Sequence, residues 1–136
     1  MSAGYSGTPL IQKLGIKPGM RVLTLNAPAD YEMLLGIDIG EQLVSSRSIP
    51  DLLHAFVRSS KEMNAAIKKT VKLASRNNKL ITWISWYKKS AGIPTDVTED
   101  SIREAALKHG LVDVKVCAVS EIWSGLKLVV PLRNRS

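Results

Sequence analysis

The segment between residues 87 and 96 carries side chains that are able to bind an anion. Its two adjacent lysines supply positive point charges, and its hydroxyl groups and the backbone amides around Gly92 add hydrogen-bond donors. The segment follows an apolar run that ends at Trp86, so it leaves the end of a strand, where loops often carry function. The polar residues that we expect to contact a ligand are Lys88, Lys89, Ser90, Thr95 and Asp96.

The same segment also fits a purely structural loop. In that alternative, Asp96 forms an Asx-turn, Pro94 fixes the direction of the chain, and the two lysines face water. The segment has no recognised phosphate-binding signature, which favours the structural alternative. The loop is therefore either a ligand-binding segment or a structural turn.

A second group of candidate residues follows the first buried strand. The run from Arg21 to Leu25 ends at Asn26, and Pro28 lacks the amide hydrogen that a central ladder needs. In an open α/β sheet, ligands bind beyond the carboxyl ends of the strands, where the strand order reverses. We expect the strands that end at Asn26 and Trp86 to be parallel neighbours, so that their ends form one crevice. The further candidates at this crevice are Asn26, Ala27, Trp86, Glu121 and Trp123.

The three tryptophans admit two interpretations. Trp83, Trp86 and Trp123 occupy alternating or strand-end positions. Aromatic side chains at such positions usually pack in the core or at its rim, which favours a structural role. The alternative is a pocket for a planar ligand, with the turn at Trp123 beside Glu121 covering the crevice.

Residue types that catalyse reactions are sparse and scattered. His54 lies within an apolar strand, where we expect a buried and hydrogen-bonded imidazole, and His109 lies at a helix end, where a positive charge is favoured. Cys117 has apolar neighbours and is interpreted as a small buried hydrophobe, not as a nucleophile. Neither histidine belongs to a cluster with metal-ligand spacing, so we expect no metal site and no catalytic residue.

The net charge of +7 raises the question of polyanionic partners. Lys68, Lys72 and Arg76 are spaced at i, i+4 and i+8 and form a basic stripe on one face of a predicted helix. The stripe could follow a phosphate backbone, but it lacks the interleaved aromatic side chains that stack on bases. A solvated lysine-rich face is therefore favoured over binding to nucleic acid.

Hydrophobic periodicity predicts one α/β domain over residues 1–136, with residues 1–8 loosely ordered. The predicted helices cover residues 10–14, 29–35, 59–76 and 98–109, and Ser59 and Glu62 fit a capping box. The predicted strands cover residues 21–25, 42–45, 51–57, 79–86, 111–119 and 123–132. Alternating strands and helices predict a mainly parallel sheet between helical layers, closed by a C-terminal antiparallel strand pair.

Length and composition narrow the class of protein. A chain of 136 residues buries roughly two-thirds of its unfolded surface and needs no disulfide bond. A single cysteine excludes an internal disulfide and any metal site built on a cysteine pair. No apolar run approaches the ~20 residues of a membrane span, and residues 1–7 lack the features of a secretory signal. These features predict a cytoplasmic protein without membrane contact.

Two segments carry a resemblance to known enzymes. Residues 17–23, KPGMRVL, form a Pro-Gly lead-in to an apolar strand, and residues 111–130 form a terminal hairpin. Both resemble class I S-adenosylmethionine methyltransferases, which implies a single Rossmann-like, three-layer domain. That family has an acidic residue and then glycines after its first strand, whereas this chain has NAPAD at residues 26–30. Without glycines the backbone cannot approach the cofactor closely, so the resemblance implies a retained fold with a lost cofactor site.

A closer resemblance extends over almost the full chain. It is carried by residues 4–10, 13–16, 88–96, 115–119 and 123–126. These segments resemble a bacterial family of uncharacterised proteins, the domain of unknown function DUF3052. Membership of that family implies no particular reaction or ligand.

Together these features predict a small-molecule-binding domain without evident catalytic machinery. It would hold an anionic or nucleotide-like ligand in the crevice between Asn26 and Lys88-Lys89. One alternative is an atypical methyltransferase with S-adenosylmethionine as its cofactor, which the altered loop disfavours. The other is a nucleic-acid or protein interaction module that uses the basic helix face.

Overall fold

The computed structural model describes residues 8–132, so the expectation for residues 1–8 falls, apart from Thr8, outside the described part. The helices are α1 (Leu10–Leu14), α2 (Tyr31–Leu35), α3 (Ser60–Ala74) and α4 (Glu99–Lys108). The strands are β1 (Val22–Leu25), β2 (Leu52–Phe56), β3 (Ile81–Tyr87), β4 (Val112–Ala118) and β5 (Trp123–Val129). Two short 3₁₀ helices cover Gly40–Gln42 and Lys89–Ala91.

The strands form one open sheet in the order β1-β2-β3-β5-β4. β1, β2 and β3 are mutually parallel, whereas β5 runs antiparallel to both β3 and β4. The connection 119–122 is too short for a parallel crossover, which explains the antiparallel pair. The predicted α/β class and mainly parallel sheet are confirmed. The strand pair does not close the sheet, because β1 and β4 remain its two edges.

One predicted neighbour relation is wrong. β2 pairs with β1 on one side and with β3 on the other, so it separates the strands that run into Asn26 and Trp86. Those two strands do point in the same direction, as expected. The physical reason lies in β2 itself, whose five residues are all buried. A parallel strand covered on both faces takes an interior place in the sheet.

The predicted strand at residues 42–45 does not form. Gly40–Gln42 is a 3₁₀ helix, and a single parallel bridge between Leu43 and Val22 connects this segment to the sheet. The side-chain amide of Gln42 donates to the carbonyl oxygens of Lys17 and Met20 at 2.8 and 3.0 Å. These bonds hold the segment as a bend along the edge of the sheet instead of a strand.

The bridge lies on the outer side of β1, opposite to β2. On this outer side, the carbonyl oxygen of Val22 accepts a hydrogen bond from the amide of Val44 at 2.9 Å. On the inner side, the carbonyl oxygen of Arg21 accepts one from the amide of Leu52 at 3.1 Å. The chain therefore leaves β1 on its outer side and returns to β2 on its inner side.

Two apolar layers cover opposite faces of the sheet. Ala55 and Val57 pack with α3 and α4, whereas Phe56, between them in the chain, packs with α1 and α2. This alternation follows from the pleat of a strand. We refer to the two sides as the α3/α4 face, which contains Ile67 and Ile102, and the α1/α2 face, which contains Leu14 and Tyr31.

Side-chain caps begin both long helices. The Ser59 hydroxyl accepts from the amide of Glu62 at 3.2 Å, but the Glu62 carboxylate accepts from the amide of Arg58, one residue before the predicted position. Thr98 and Ser101 form a reciprocal capping box at the start of α4. No helix within residues 8–132 combines the length and the apolar character needed to cross a bilayer.

Candidate functional site

The three parallel strands end at one edge of the sheet, which we call the carboxyl edge. Asn26 follows β1, Arg58 comes two residues after β2, and Lys88 follows β3. Because successive residues of a strand point to opposite faces, side chains at this edge divide between the α1/α2 face and the α3/α4 face. The ten predicted ligand-binding residues therefore do not form a single site.

A cleft of about 870 Å³ opens on the α3/α4 face of the carboxyl edge. Its floor includes Trp86, which is buried against Val97 and Ile102. The loop after β3 forms one wall, and Thr98, at the start of α4, belongs to the other. The structure brings five of the predicted residues together here, namely Trp86, Lys88, Lys89, Ser90 and Thr95.

The charges in this cleft are unevenly balanced. Glu99 and Asp100 also line it, but both carboxylates pair with Arg103, which additionally binds Asp113 at 2.9 Å. The hydrogen bonds from Asp113 and Glu99 hold the pKa of the Arg103 guanidinium above its usual range. Lys88 and Lys89, by contrast, have no carboxylate within 4.0 Å among residues 8–132. The positive charges of the lysines are therefore the uncompensated ones.

Thr95 and Asp96 are engaged by the protein itself. The Thr95 hydroxyl donates to the carbonyl oxygen of Arg58 at 2.8 Å and accepts from the amide of Val97 at 3.2 Å. The Asp96 carboxylate accepts from the amide of Ser60, the first residue of α3, at 2.9 Å. Hydrogen bonds from the Ser60 side chain and amide lower the pKa of Asp96. Thr95 thus attaches the loop to the segment between β2 and α3. Asp96 attaches it to α3 by this long-range bond, not by the expected Asx-turn.

Asn26, Ala27 and Trp123 belong to the opposite side of the edge. Ala27 and Trp123 pack in the α1/α2 layer, away from the cleft. Glu121 is exposed in the turn between β4 and β5 and is not among the residues that line the cleft. The predicted crevice between Asn26 and Lys88 therefore does not form, because β2 and the residues after it lie between them.

Arg58 is the residue that sequence reasoning missed. Its guanidinium Nη1 donates to the carbonyl oxygen of Asn26 at 3.3 Å, and its Cζ lies 5.2 Å from the centroid of the Trp123 ring. It thus joins two predicted site residues that do not contact the cleft. The signal was available, because Arg58 is the first polar residue after the buried run 52–57, at the end where parallel strands present ligand-binding groups.

Solved structures of other proteins share this architecture. Ribosomal protein L11 methylase from Lactobacillus delbrueckii subsp. bulgaricus is 14% identical over 89% of this chain and 74% of its own, with a TM-score of 0.52. Fibrillarin from Aeropyrum pernix, with natively bound S-adenosyl-L-methionine, is 14% identical over 93% and 70%, with a TM-score of 0.51. A protein of the NADB-Rossmann superfamily from Streptococcus agalactiae is 7% identical over 98% and 73%, with a TM-score of 0.51.

The chain has a Rossmann-like fold that is similar to that of methyltransferases. At these identities the similarity concerns the fold alone. No family model and no curated protein matches the chain, so the connection with DUF3052 remains a resemblance.

The first loop of this methyltransferase-like fold departs from the glycine-rich pattern. Asn26 has a φ of +57° and is the one non-glycine residue with positive φ within residues 8–132. Asparagine tolerates this left-handed conformation better than most residues. Ala27 and Pro28 follow, so the chain has a β-carbon where a glycine would have none and lacks one amide donor.

Three buried polar side chains form a hydrogen-bonded network on the α1/α2 side of the core, which we call the core network. The Tyr31 hydroxyl lies 2.9 Å from Nδ1 of His54, and Nε2 of His54 lies 2.8 Å from the Ser85 hydroxyl. Burial lowers the pKa of His54 to about 3, so the imidazole is neutral. The prediction of a hydrogen-bonded core histidine is confirmed. The Ser85–His54 pair has no access to substrate, because both residues are fully buried.

The other residues considered for chemistry have structural surroundings. Nδ1 of His109 lies 2.9 Å from the carbonyl oxygen of Ala105, one turn back at the end of α4. Cys117 is only half-buried, since β4 is an edge strand, and burial raises the pKa of its thiol. The expectation of a buried cysteine is thus only partly met. Residues 8–132 contain no group of three His, Cys, Asp or Glu side chains placed to hold a metal ion.

The tryptophans and the basic stripe also have defined positions. Trp83, Trp86 and Trp123 are all buried, as expected for core packing. Lys68 and Lys72 are exposed on α3, and Arg76 is exposed two residues after Ala74, where α3 ends earlier than predicted. None of the three forms an ion pair within the part of the chain that the structure describes.

Proposed function

We propose that this protein is a non-catalytic binding domain for a small anionic ligand, held in the cleft at the carboxyl end of β3. The observation that carries the proposal is the pair of uncompensated lysines, Lys88 and Lys89, on the wall of a cleft of about 870 Å³. Clefts of a few hundred to about 1,000 Å³ accommodate small molecules. A lysine ammonium binds phosphate or carboxylate as a point charge.

The lining of the cleft suits binding better than catalysis. Its buried floor at Trp86 is apolar, and its polar groups are lysines, hydroxyls and two carboxylates that already pair with Arg103. A general base needs a side chain that can accept a proton near neutral pH, most often histidine. Neither histidine of the chain lines this cleft.

A thermal-shift panel of nucleotides, adenosyl compounds and inorganic phosphate tests the proposal. A ligand at about 100 times its Kd adds about 2.7 kcal/mol to the free energy of unfolding, which gives a readily measured shift. We expect at least one anion to raise the Tm of the wild type by clearly more than that of a Lys88→Ala/Lys89→Ala variant.

The matched control is Lys68→Ala/Lys72→Ala, which removes the same charge from the exposed face of α3. It should respond to the anion like the wild type. The proposal fails if no anion shifts the wild type, or if both double variants lose the response equally.

An S-adenosylmethionine-dependent methyltransferase is the second candidate. Its support is the fold shared with fibrillarin, which carries that cofactor. The residues at the equivalent edge do not fit the cofactor well, because Ala27 and Pro28 restrict the backbone and Pro28 has no amide to donate. Calorimetry with millimolar S-adenosylmethionine separates the candidates. Saturable heat that survives Lys88→Ala/Lys89→Ala would favour the methyltransferase, and absence of heat would remove it.

A further inference from the structure

Arg58 is a half-buried arginine at the carboxyl edge of the sheet. Among residues 8–132, no carboxylate lies within 4.0 Å of its guanidinium. Within the same residues, its side chain makes one hydrogen bond, the 3.3 Å contact from Nη1 to the carbonyl oxygen of Asn26. A guanidinium carries five N–H donors, so four remain available. Partly desolvated charges normally have a partner of opposite sign, and here that partner is missing from the described chain.

The surroundings hold the guanidinium in one place. Its Cζ lies 5.2 Å from the centroid of the Trp123 ring, a distance at which a cation is attracted to the aromatic face. Trp123 is itself fixed, because it is buried, stacks on Tyr87 at 4.4 Å and meets Phe56 edge-on at 4.9 Å. Because the planar guanidinium is held against a rigid aromatic ring, it loses little conformational entropy when it binds an oxyanion.

The position in the fold also favours a ligand. Arg58 follows β2, the strand next to β1, at the carboxyl edge of the sheet. Ligands of open α/β sheets bind outside the carboxyl ends of the strands. Asn26, whose carbonyl oxygen contacts Arg58, is exposed and occupies the left-handed conformation at the same point.

We propose that Arg58 is the centre of a second oxyanion site, which binds a carboxylate or a phosphate group through two parallel N–H···O bonds. Such bidentate pairs are the strongest ionic hydrogen bonds that arginine forms. The site adjoins the lysine cleft, since Tyr87 and Thr95 line the cleft and contact Trp123 and the Arg58 backbone, respectively, but it lies on the opposite face of the sheet. Trp123, which Arg58 contacts, packs in the α1/α2 layer, whereas Trp86 on the floor of the cleft packs in the α3/α4 layer.

The side-chain Nε–H signal of Arg58 in an NMR spectrum reports binding directly. The full chain is titrated with inorganic phosphate and, separately, with acetate, at constant ionic strength set by chloride. We expect a saturable shift of the Arg58 signal with at least one of them, while the exposed Arg76 shows no saturation. A response to phosphate alone assigns a phosphorylated ligand, and a response to acetate assigns a carboxylate.

Two variants complete the experiment. Arg58→Lys keeps the positive charge and the aliphatic part of the side chain but removes the planar guanidinium. We therefore expect about tenfold weaker binding, measured from the chemical shift of the Asn26 amide. Lys88→Ala/Lys89→Ala should leave the affinity at Arg58 unchanged, which separates this site from the cleft. The inference is overturned if the Arg58 signal moves no more than that of Arg76, if Arg58→Lys binds equally well, or if the lysine variant abolishes the titration.

Discussion

The buried core and the carboxyl edge of the sheet differ in how their polar side chains are bonded. Strands β2 and β3 each contribute one polar side chain to the core and are each followed by a cation at the edge. In the core, His54 of β2 and Ser85 of β3 are fully buried and bonded to each other, and His54 also bonds Tyr31. At the edge, Arg58 and Lys88 have donors to spare and no carboxylate partner among residues 8–132.

The difference separates a structural polar group from one available to a ligand. The core network contains a serine and a histidine, as many catalytic sites do. However, each ring nitrogen of His54 already has a hydrogen-bond partner, and the side chain is fully buried. Buried polar groups of this kind specify the fold. We expect the edge cations to contribute little to folding, because neither forms an ion pair among residues 8–132. Four tests sharpen or break this contrast, beginning with the largest expected effect.

Replacement of His54 by alanine should destabilise the protein most. The change removes a fully buried ring and leaves the hydroxyls of Tyr31 and Ser85 without their imidazole partner. Loss of the buried ring and of two hydrogen bonds predicts a decrease of about 4 kcal/mol in the free energy of unfolding. Urea denaturation measures it, with His109→Ala as the exposed control. A decrease below about 1 kcal/mol would contradict the stabilising role of the core network.

Acid should weaken the fold through the same residue. The folded-state pKa of His54 is about 3, below the unfolded value of 6.5. Its stabilising contribution is therefore complete above about pH 6.5 and is lost as the pH falls from there toward about 3, because only the unfolded chain takes up the proton. We expect about 2 kcal/mol to be lost between about pH 6.5 and about pH 5. Urea titrations of wild type and His54→Gln that run parallel over this range would refute the assignment.

Asp96 should have a smaller and local effect. Its carboxylate accepts from the amide of Ser60, so Asp96→Ala leaves the first turn of α3 with one more unpaired donor. We expect faster hydrogen exchange at Ser60 and a lower stability than wild type, with a loss well below that at His54. Asp100→Ala, a change at an exposed carboxylate on the same cleft, is the control. Unchanged exchange at Ser60 would show that the loop is not attached through this bond.

The smallest effect on folding is expected at the lysines. Lys88→Ala/Lys89→Ala removes two cations with no carboxylate partner, so the free energy of unfolding should change by less than about 0.5 kcal/mol. Urea denaturation without added anion checks this value. A loss of 2 kcal/mol or more, on the order of a buried-site change, would place the lysines in the structural class with His54.

The sequence predicted the elements better than their arrangement. Strand runs such as 79–86 and the cap residues Ser59 and Thr98 act locally, so their patterns are readable one segment at a time. The buried character of His54 followed from the apolar run around it. These features depend on neighbours in the chain, and the structure confirms them.

The order of the strands in the sheet could not be predicted from local sequence patterns, and the position of the candidate site depends on that order. The run 52–57 has the composition of a central strand, but nothing in its residues states that it lies between β1 and β3. Once β2 is placed there, Arg58 occupies the edge position that had been given to Lys88. The carboxylates that neutralise Arg103 come from α4 and β4, so its pairing also became clear only in three dimensions.

The central claim is that the carboxyl edge, and no other surface, binds a small anion. Amide chemical-shift mapping of the ¹⁵N-labelled full chain, titrated with adenosine monophosphate, tests it most directly. We expect saturable shifts confined to residues 88–95 and the neighbourhood of Arg58. Saturable shifts confined to the exposed face of α3 around Lys68 and Lys72, or no saturable shift anywhere, would contradict it.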